Sequence, residues 1–158
     1  MHEVVIHMKQ LIPISSRPIF ILVVLLAVSS TPAQTKPDPI AEVKAALDAQ
    51  VAGWNAGAPD KATSVYYDSP EMLWVNRTGI RKGYDLIRAS YQRTPAERSR
   101  MGAYSYEPLH VDRLSRDCVF FVIRWKIESN GRTTMGGVTS MVWKRINKKW
   151  VIAAEHAS

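Results

Sequence analysis

The sequence predicts an α+β fold in which helices come first and a hairpin-linked antiparallel sheet follows. Apolar residues recur at helical spacing through IAEVKAALDAQVAGWNAG, at Ile40, Val43, Leu47, Val51 and Trp54. From residue 104 onward the chain changes to β-type apolar runs separated by short polar turns, with SNGR and NKK as the later two. Helices followed by strands, rather than strands alternating with helices, exclude a doubly wound parallel sheet.

Residues 1–33 have the form of an export signal. Lys9 and Arg17 supply a basic region, IFILVVLLAV an apolar segment, and Thr31 and Ala33 small residues ahead of Gln34. The apolar run is shorter than the roughly 20 residues a membrane span needs. The expectation is a mature chain beginning near Gln34, periplasmic or secreted, with no membrane span after signal removal. Met1 and Met8 can each serve as the start. Residues 34–37 read as a linker and 38–158 as one domain.

Within that domain, Asp38-Pro39 opens the first helix as an N-cap followed by proline at the first helical position, and Asn55 and Gly57 close it. PDKATSVYY predicts a short second helix starting at Pro59. SPEMLWVN reads as a strand and TGIRKG as a turn with a short strand step. GYDLIRASYQR is a third helix with Leu86, Ile87 and Tyr91 on one face. TPAERSRMG is a loop. Strands are then expected over 104–114, 117–128, 133–145 and 150–155, with Gly136-Gly137 marking a bulge or bend inside the third of these.

Composition removes several functional classes. The chain carries a formal charge of +7; without residues 1–33 it keeps 125 residues, with 19 basic and 13 acidic, or +6. The basic stretch that holds Arg77, Arg81, Lys82, Arg88, Arg93, Arg98 and Arg100 lacks the aromatic interleaving of an RNA-binding surface, so no nucleic-acid partner is expected. The lone Cys118 excludes a disulfide scaffold and reads as a structural thiol within CVFFVI. With only His110 and His156 beside it, a structural zinc site has too few ligands. No glycine-rich phosphate loop is present, and the expectation is no cofactor and no metal.

The order of elements, together with WNAG after the first helix, LWVN followed by IRKG, and the closing MVWKRINKKWVIAAEHAS, resembles the nuclear transport factor 2-like superfamily. Within it the likeness is to the SnoaL-like and exported domain-of-unknown-function proteins. The last hairpin and VIRW are similar to the association domain of calcium/calmodulin-dependent kinase. The resemblance spans about residues 38–158. It implies a curved sheet wrapped around a long helix as a cone with an apolar pocket, often dimeric through the outer face of the sheet. It does not imply one activity, since the fold hosts isomerases, dehydratases, hydrolases and assembly modules.

The polar candidates follow from strand alternation. In the last strand Trp150, Ile152, Ala154 and His156 share one side, and Val151, Ala153 and Glu155 the other. Glu155 and His156 therefore do not form a dyad in a regular strand, and the resemblance favours His156 for the pocket. In 117–128 the row Cys118, Phe120, Val122 gives way to Arg124, a cation placed between core and water that would hold a ligand carboxylate. The association domain carries a matching pocket arginine, and a second one where this chain has Met141. Tyr66, Trp74 and Tyr91 are expected to line the cone. His110 falls on one strand face with Tyr104 and Tyr106, and Asp68 is a further candidate base.

The leading expectation is an exported protein that binds a small, acidic organic molecule in an apolar pocket anchored by Arg124. The alternatives are a cofactor-independent isomerase, dehydratase or hydrolase with His156 or Asp68 as base, and a non-catalytic module that forms a homodimer.

Overall fold

The computed structural model describes residues 38–92, 94, 97 and 100–158. The expected leader and linker lie outside the described residues, as do Arg93 and Arg98 of the basic stretch. Three helices and six strands follow in order: α1 Pro39–Asn55, α2 Pro59–Thr63, β1 Leu73–Asn76, β2 Gly79–Lys82, α3 Tyr84–Tyr91, β3 Ala103–Ser115, β4 Cys118–Ser129, β5 Arg132–Ile146 and β6 Lys149–Ala157. The fold is α+β, with the helices N-terminal to most of one sheet.

The Asp38 carboxylate caps α1 by accepting from the Ile40 N–H at 3.2 Å. The buried face of α1 is Pro39, Val43, Leu47, Gln50 and Gly53, so the apolar stripe of the sequence continues through a glutamine and a glycine. Gly53 is required by contact: a Cβ there would stand 2.7 Å from the Ala62 backbone nitrogen, where α2 crosses. Helix α2 ends earlier than expected, because the chain after it is captured by the sheet. Ile152 donates its N–H to the Val65 carbonyl at 2.7 Å, and Tyr67 donates to the Ile152 carbonyl at 2.9 Å. Tyr66 thus sits in an isolated bridge to β6 rather than in a helix.

The sheet order is β2-β1-β6-β5-β4-β3. Its pairs are antiparallel except β1 with β6, which run parallel. The sequence suggested hairpins throughout; β1 and β6 are joined by no turn, so nothing forces them antiparallel. The inner face of the sheet presents Val119, Phe121, Ile123, Met141, Trp143, Trp150 and Ile152 to Val43 and Leu47 of α1, forming the core. Gly136 and Gly137 pair in register with Lys126 and Trp125, so they do not themselves form the bulge. A side chain on Gly137 would collide with the Ser158 carbonyl oxygen, which pairs with Val138 beside it.

Two bulges decide which side chains point inward. In β3 the register shifts between Pro108 and His110, and in β6 the pairing moves from Ile152 to Ala154 opposite Trp143 and Val142, leaving Ala153 unpaired. Each inserts one residue and so exchanges inward for outward in the rest of the strand.

Candidate functional site

A cavity of about 270 Å³ opens on the inner face of the sheet beyond the packed core. Six aromatic side chains build most of its wall: Trp54 from α1, Tyr66, Trp74 from β1, Tyr91 from α3, Tyr104 from β3 and Trp125 from β4. They pack edge to face. Trp54 and Tyr91 are 5.7 Å apart at 90°, and Tyr66 and Tyr91 are 6.0 Å apart. Tyr104 meets Trp125 at 6.3 Å. Ile123, Ile127, Met135 and Met141 supply the aliphatic part, and Gln50, Ser90, Thr139 and Glu155 the polar part, the Ser90 hydroxyl donating to the Ile87 carbonyl. None of the described lining residues is Lys, Arg or His.

Glu155 reaches this cavity because of the Ala153 bulge. Trp74, Glu155, Met141 and Phe121 are Cα partners across β1, β6, β5 and β4, so they form one row on the inner face. In a regular β6 Glu155 would oppose Trp150 and Ile152; with the extra residue it joins their side. Burial pushes its carboxyl up to about 7, and the Tyr66 hydroxyl, hydrogen-bonded to it, draws it partway back. The same carboxylate adds to burial in raising Tyr66, Tyr91 and Tyr104, so these phenols stay protonated at neutral pH.

A hydrogen-bond network stands behind the carboxyl. The Gln50 side-chain amide donates to the hydroxyl of Tyr66 at 3.0 Å and to that of Tyr91 at 3.2 Å. The two hydroxyls are 3.1 Å apart. One hydroxyl proton bridges the pair, and the other remains for Glu155. The arrangement can hold a carboxyl near the midpoint of its titration against an apolar guest, which is what proton exchange or charge pairing with a ligand requires.

Of the residues singled out from sequence, Tyr66, Trp74, Tyr91 and Met141 line the cavity. The others do not. His156 is exposed and paired across from Ser140 on the outer face, since the bulge that turns Glu155 inward turns His156 out. Glu155 and His156 do lie on opposite sides, but in the reverse sense to the one favoured. His110 is likewise turned outward by the bulge at Leu109, opposite Val122 and 6.2 Å from the Phe120 ring. Arg124 is exposed, donates to Glu107 at 3.1 Å, and borders a separate groove of about 460 Å³ with Lys126 and Val138. Its row is the outer one, because Ile123 and Trp125 on either side of it hold the inner face, so it does not anchor a ligand in the aromatic cavity. Asp68 is exposed in the loop before β1. Among the described residues no group of three or more His, Cys, Asp and Glu is placed to hold a metal, and no helix is long and apolar enough to cross a membrane.

Sequence reasoning missed the inward direction of Glu155 and the buried role of Gln50. No residue signature marked the bulge. Gln50 was legible only as a polar position on the same helical stripe as Val43 and Leu47.

No family model matches the chain, and no curated protein matches it. Solved structures do. A nuclear transport factor 2-like protein of unknown function from Shewanella oneidensis is similar with a TM-score of 0.71 at 23% identity, over 77% of this chain and 99% of that one. A domain of unknown function with a cystatin-like fold from Nostoc punctiforme matches at 0.65 and 15% identity, over 78% of each chain. A protein assigned as a calcium/calmodulin-dependent protein kinase type II association domain, from Thiobacillus denitrificans, matches at 0.59 and 18% identity, over 77% of this chain and 94% of that one. The element order, the single six-stranded sheet and these likenesses agree: the chain has the nuclear transport factor 2-like fold.

Proposed function

We propose that the chain binds a small, largely apolar organic molecule in the aromatic cavity, with Glu155 as the ionisable group that meets it. The observation that carries this reading is a single carboxyl set by a bulge into a cavity walled by six aromatic rings. Such cavities with few convergent polar groups are the usual form of small-molecule sites. A negatively charged ligand is disfavoured, since it would face a carboxyl with no cation among the described lining residues. The test is displacement of N-phenyl-1-naphthylamine, whose fluorescence rises on entering apolar sites. Binding that is abolished in a folded Ala157→Phe variant, which places a ring in the cavity, supports the reading; unchanged binding in that variant removes it.

The state of Glu155 favours a second reading, a cofactor-independent isomerase, dehydratase or hydrolase in which Glu155 takes and returns a proton while Tyr66 donates a hydrogen bond. Exchange of hydrogens next to the carbonyl of a ketone panel in D₂O, lost in Glu155→Gln, is the expected sign. No exchange with any ketone leaves the binding role alone.

Export is proposed from the pattern of residues 1–33, with N-terminal sequencing expected to begin near Gln34. A homodimer is proposed through the outer face, where Phe120, Val122 and Val138 are apolar and only partly covered. Light scattering of the protein and of Val138→Glu should show a dimer and a monomer respectively.

A further inference from the structure

We propose that the ligand of this cavity is an organic cation, an amine or quaternary ammonium, held by the Glu155 carboxylate and the faces of the surrounding indole and phenol rings. The inference rests on the reading of the cavity as a ligand site and names the chemistry that site selects.

Three observations lead to it. First, ring faces attract cations through their quadrupole, and Trp54, Trp74, Trp125, Tyr66, Tyr91 and Tyr104 converge on one space. Second, no ion pair among the described residues involves Glu155. By contrast Glu42, on α1, is met by Arg145 and the Trp150 N–H. Third, both N–H groups of the Gln50 amide are already used, on Tyr66 and Tyr91. The two lining donors left without a partner, the Trp74 and Trp125 indole N–H groups, are neutral and bring no charge to offset an anion beside the carboxylate.

The groups facing Glu155 are neutral on every packed element. Helix α1 presents Gln50 and Trp54, the segment after α2 Tyr66, α3 Ser90 and Tyr91, β1 Trp74, β3 Tyr104, β4 Trp125 with Ile123 and Ile127, and β5 Met141, Thr139 and Met135. Arg81 pairs with Trp74 in β2 and lies 5.7 Å from its ring centre, but it is exposed and outside the lining. The net positive charge of the chain does not oppose a cation at this range. Exposed charges are screened over about 8 Å at physiological ionic strength, whereas Glu155 acts by contact in a site of low polarity. An anion would meet the carboxylate directly, and a neutral guest would bury it without compensation.

A cation also explains the use of a carboxyl that titrates near neutrality. In the empty cavity it is protonated over part of the physiological range. A bound ammonium favours the charged form and releases a proton, so affinity rises with pH until Glu155 is ionised in the free protein.

The test compares choline with 3,3-dimethylbutan-1-ol, which has the same shape without the charge, by calorimetry on the purified protein. Expected is choline binding about 10-fold or more tighter than the alcohol at pH 8, with the advantage shrinking as pH falls toward 6. At pH 6, titrations in two buffers of different ionisation heat should show proton release with choline and none with the alcohol. Glu155→Gln should abolish the preference and its pH dependence, with the alcohol bound at least as tightly as before because no carboxylate is then buried beneath it. Trp74→Leu, which keeps the carboxyl and removes a ring, should weaken choline more than the alcohol. Equal or tighter binding of the alcohol overturns the inference while the cavity reading stands. Binding of neither, in protein that also fails to bind N-phenyl-1-naphthylamine, overturns both. Binding of the naphthylamine with neither of the pair overturns the inference alone.

Discussion

Glu155 is held where its charge is costly. Its carboxyl titrates at about 7 in the folded protein against an ordinary value of 4.5, with desolvation by burial as the leading cause. A raised carboxyl pKa means that the folded state binds the proton more tightly than the unfolded chain does. Stability therefore falls as pH rises from about 4.5 to 7 and is level above that, because both states are then ionised. Glu155→Gln removes this loss. Urea unfolding should find the variant about 1 to 3 kcal/mol more stable than wild type at pH 8, with little difference at pH 4, the range reflecting the half-buried position. A constant difference across pH would place the carboxyl in water. This is the exchange of stability for function that binding groups commonly show.

The bulge in β6 is the element on which the site turns. Upstream of Ala153, Trp150 and Ile152 are buried in the core, and that burial fixes the orientation of the first half of the strand. Downstream, only Glu155 and Ala157 point into the cavity, and they have less apolar surface to lose. Deleting Ala153 should therefore leave Trp150 and Ile152 in place and reverse the second half of the strand, bringing His156 inward and Glu155 out. The expected outcome is a folded protein with naphthylamine binding weakened by about 10-fold or more. A His156 ring resonance displaced by the currents of the surrounding indole and phenol rings would report the exchange. Retained binding with His156 still exposed would mean the strand re-forms its bulge elsewhere. The bulge at Leu109 acts in the same way on His110, which it removes from the row of Tyr104 and Tyr106.

In the molecule as a whole, α1 is tied to the sheet at one end by charge and at the other by hydrogen bonds. Glu42 accepts from Arg145 and, at 2.7 Å, from the Trp150 indole N–H; Arg145 also lies 4.8 Å from the Trp150 ring centre and 3.5 Å from Asp117. Removing the acceptor strands two donors that are partly shielded from water. Glu42→Ala should cost about 1 to 3 kcal/mol, and Glu42→Gln less, since the amide oxygen still accepts from Trp150. Thermal denaturation of the two variants checks the order. If both cost nothing, the clamp is not holding the helix. At the other end, Asn55 accepts from the Tyr104 N–H at 2.7 Å and donates to its carbonyl at 3.0 Å, which sets the helix end beside the cavity wall.

The helices, the four long strands and their turns were legible in the sequence because each is specified locally. The spacing of Val43 and Leu47, the Asp38-Pro39 cap and the turns at SNGR and NKK act over a few residues. The aromatic wall was partly legible for a related reason: Tyr66, Trp74 and Tyr91 are large apolar residues that have to be buried somewhere, and the fold offers one inner face. The polar centre was not legible. A strand's alternation can be read from its residues only while the ladder is regular, and the extra residues at Leu109 and Ala153 are accommodated by pairing with neighbours far away in the chain. Burial of Trp150 and Ile152 on one side of the bulge and the row from Trp74 to Met141 on the other set the direction of Glu155. The same long-range pairing sent His110 and His156 to the outer face, whereas Arg124 lies there by plain alternation with Ile123 and Trp125, which face inward.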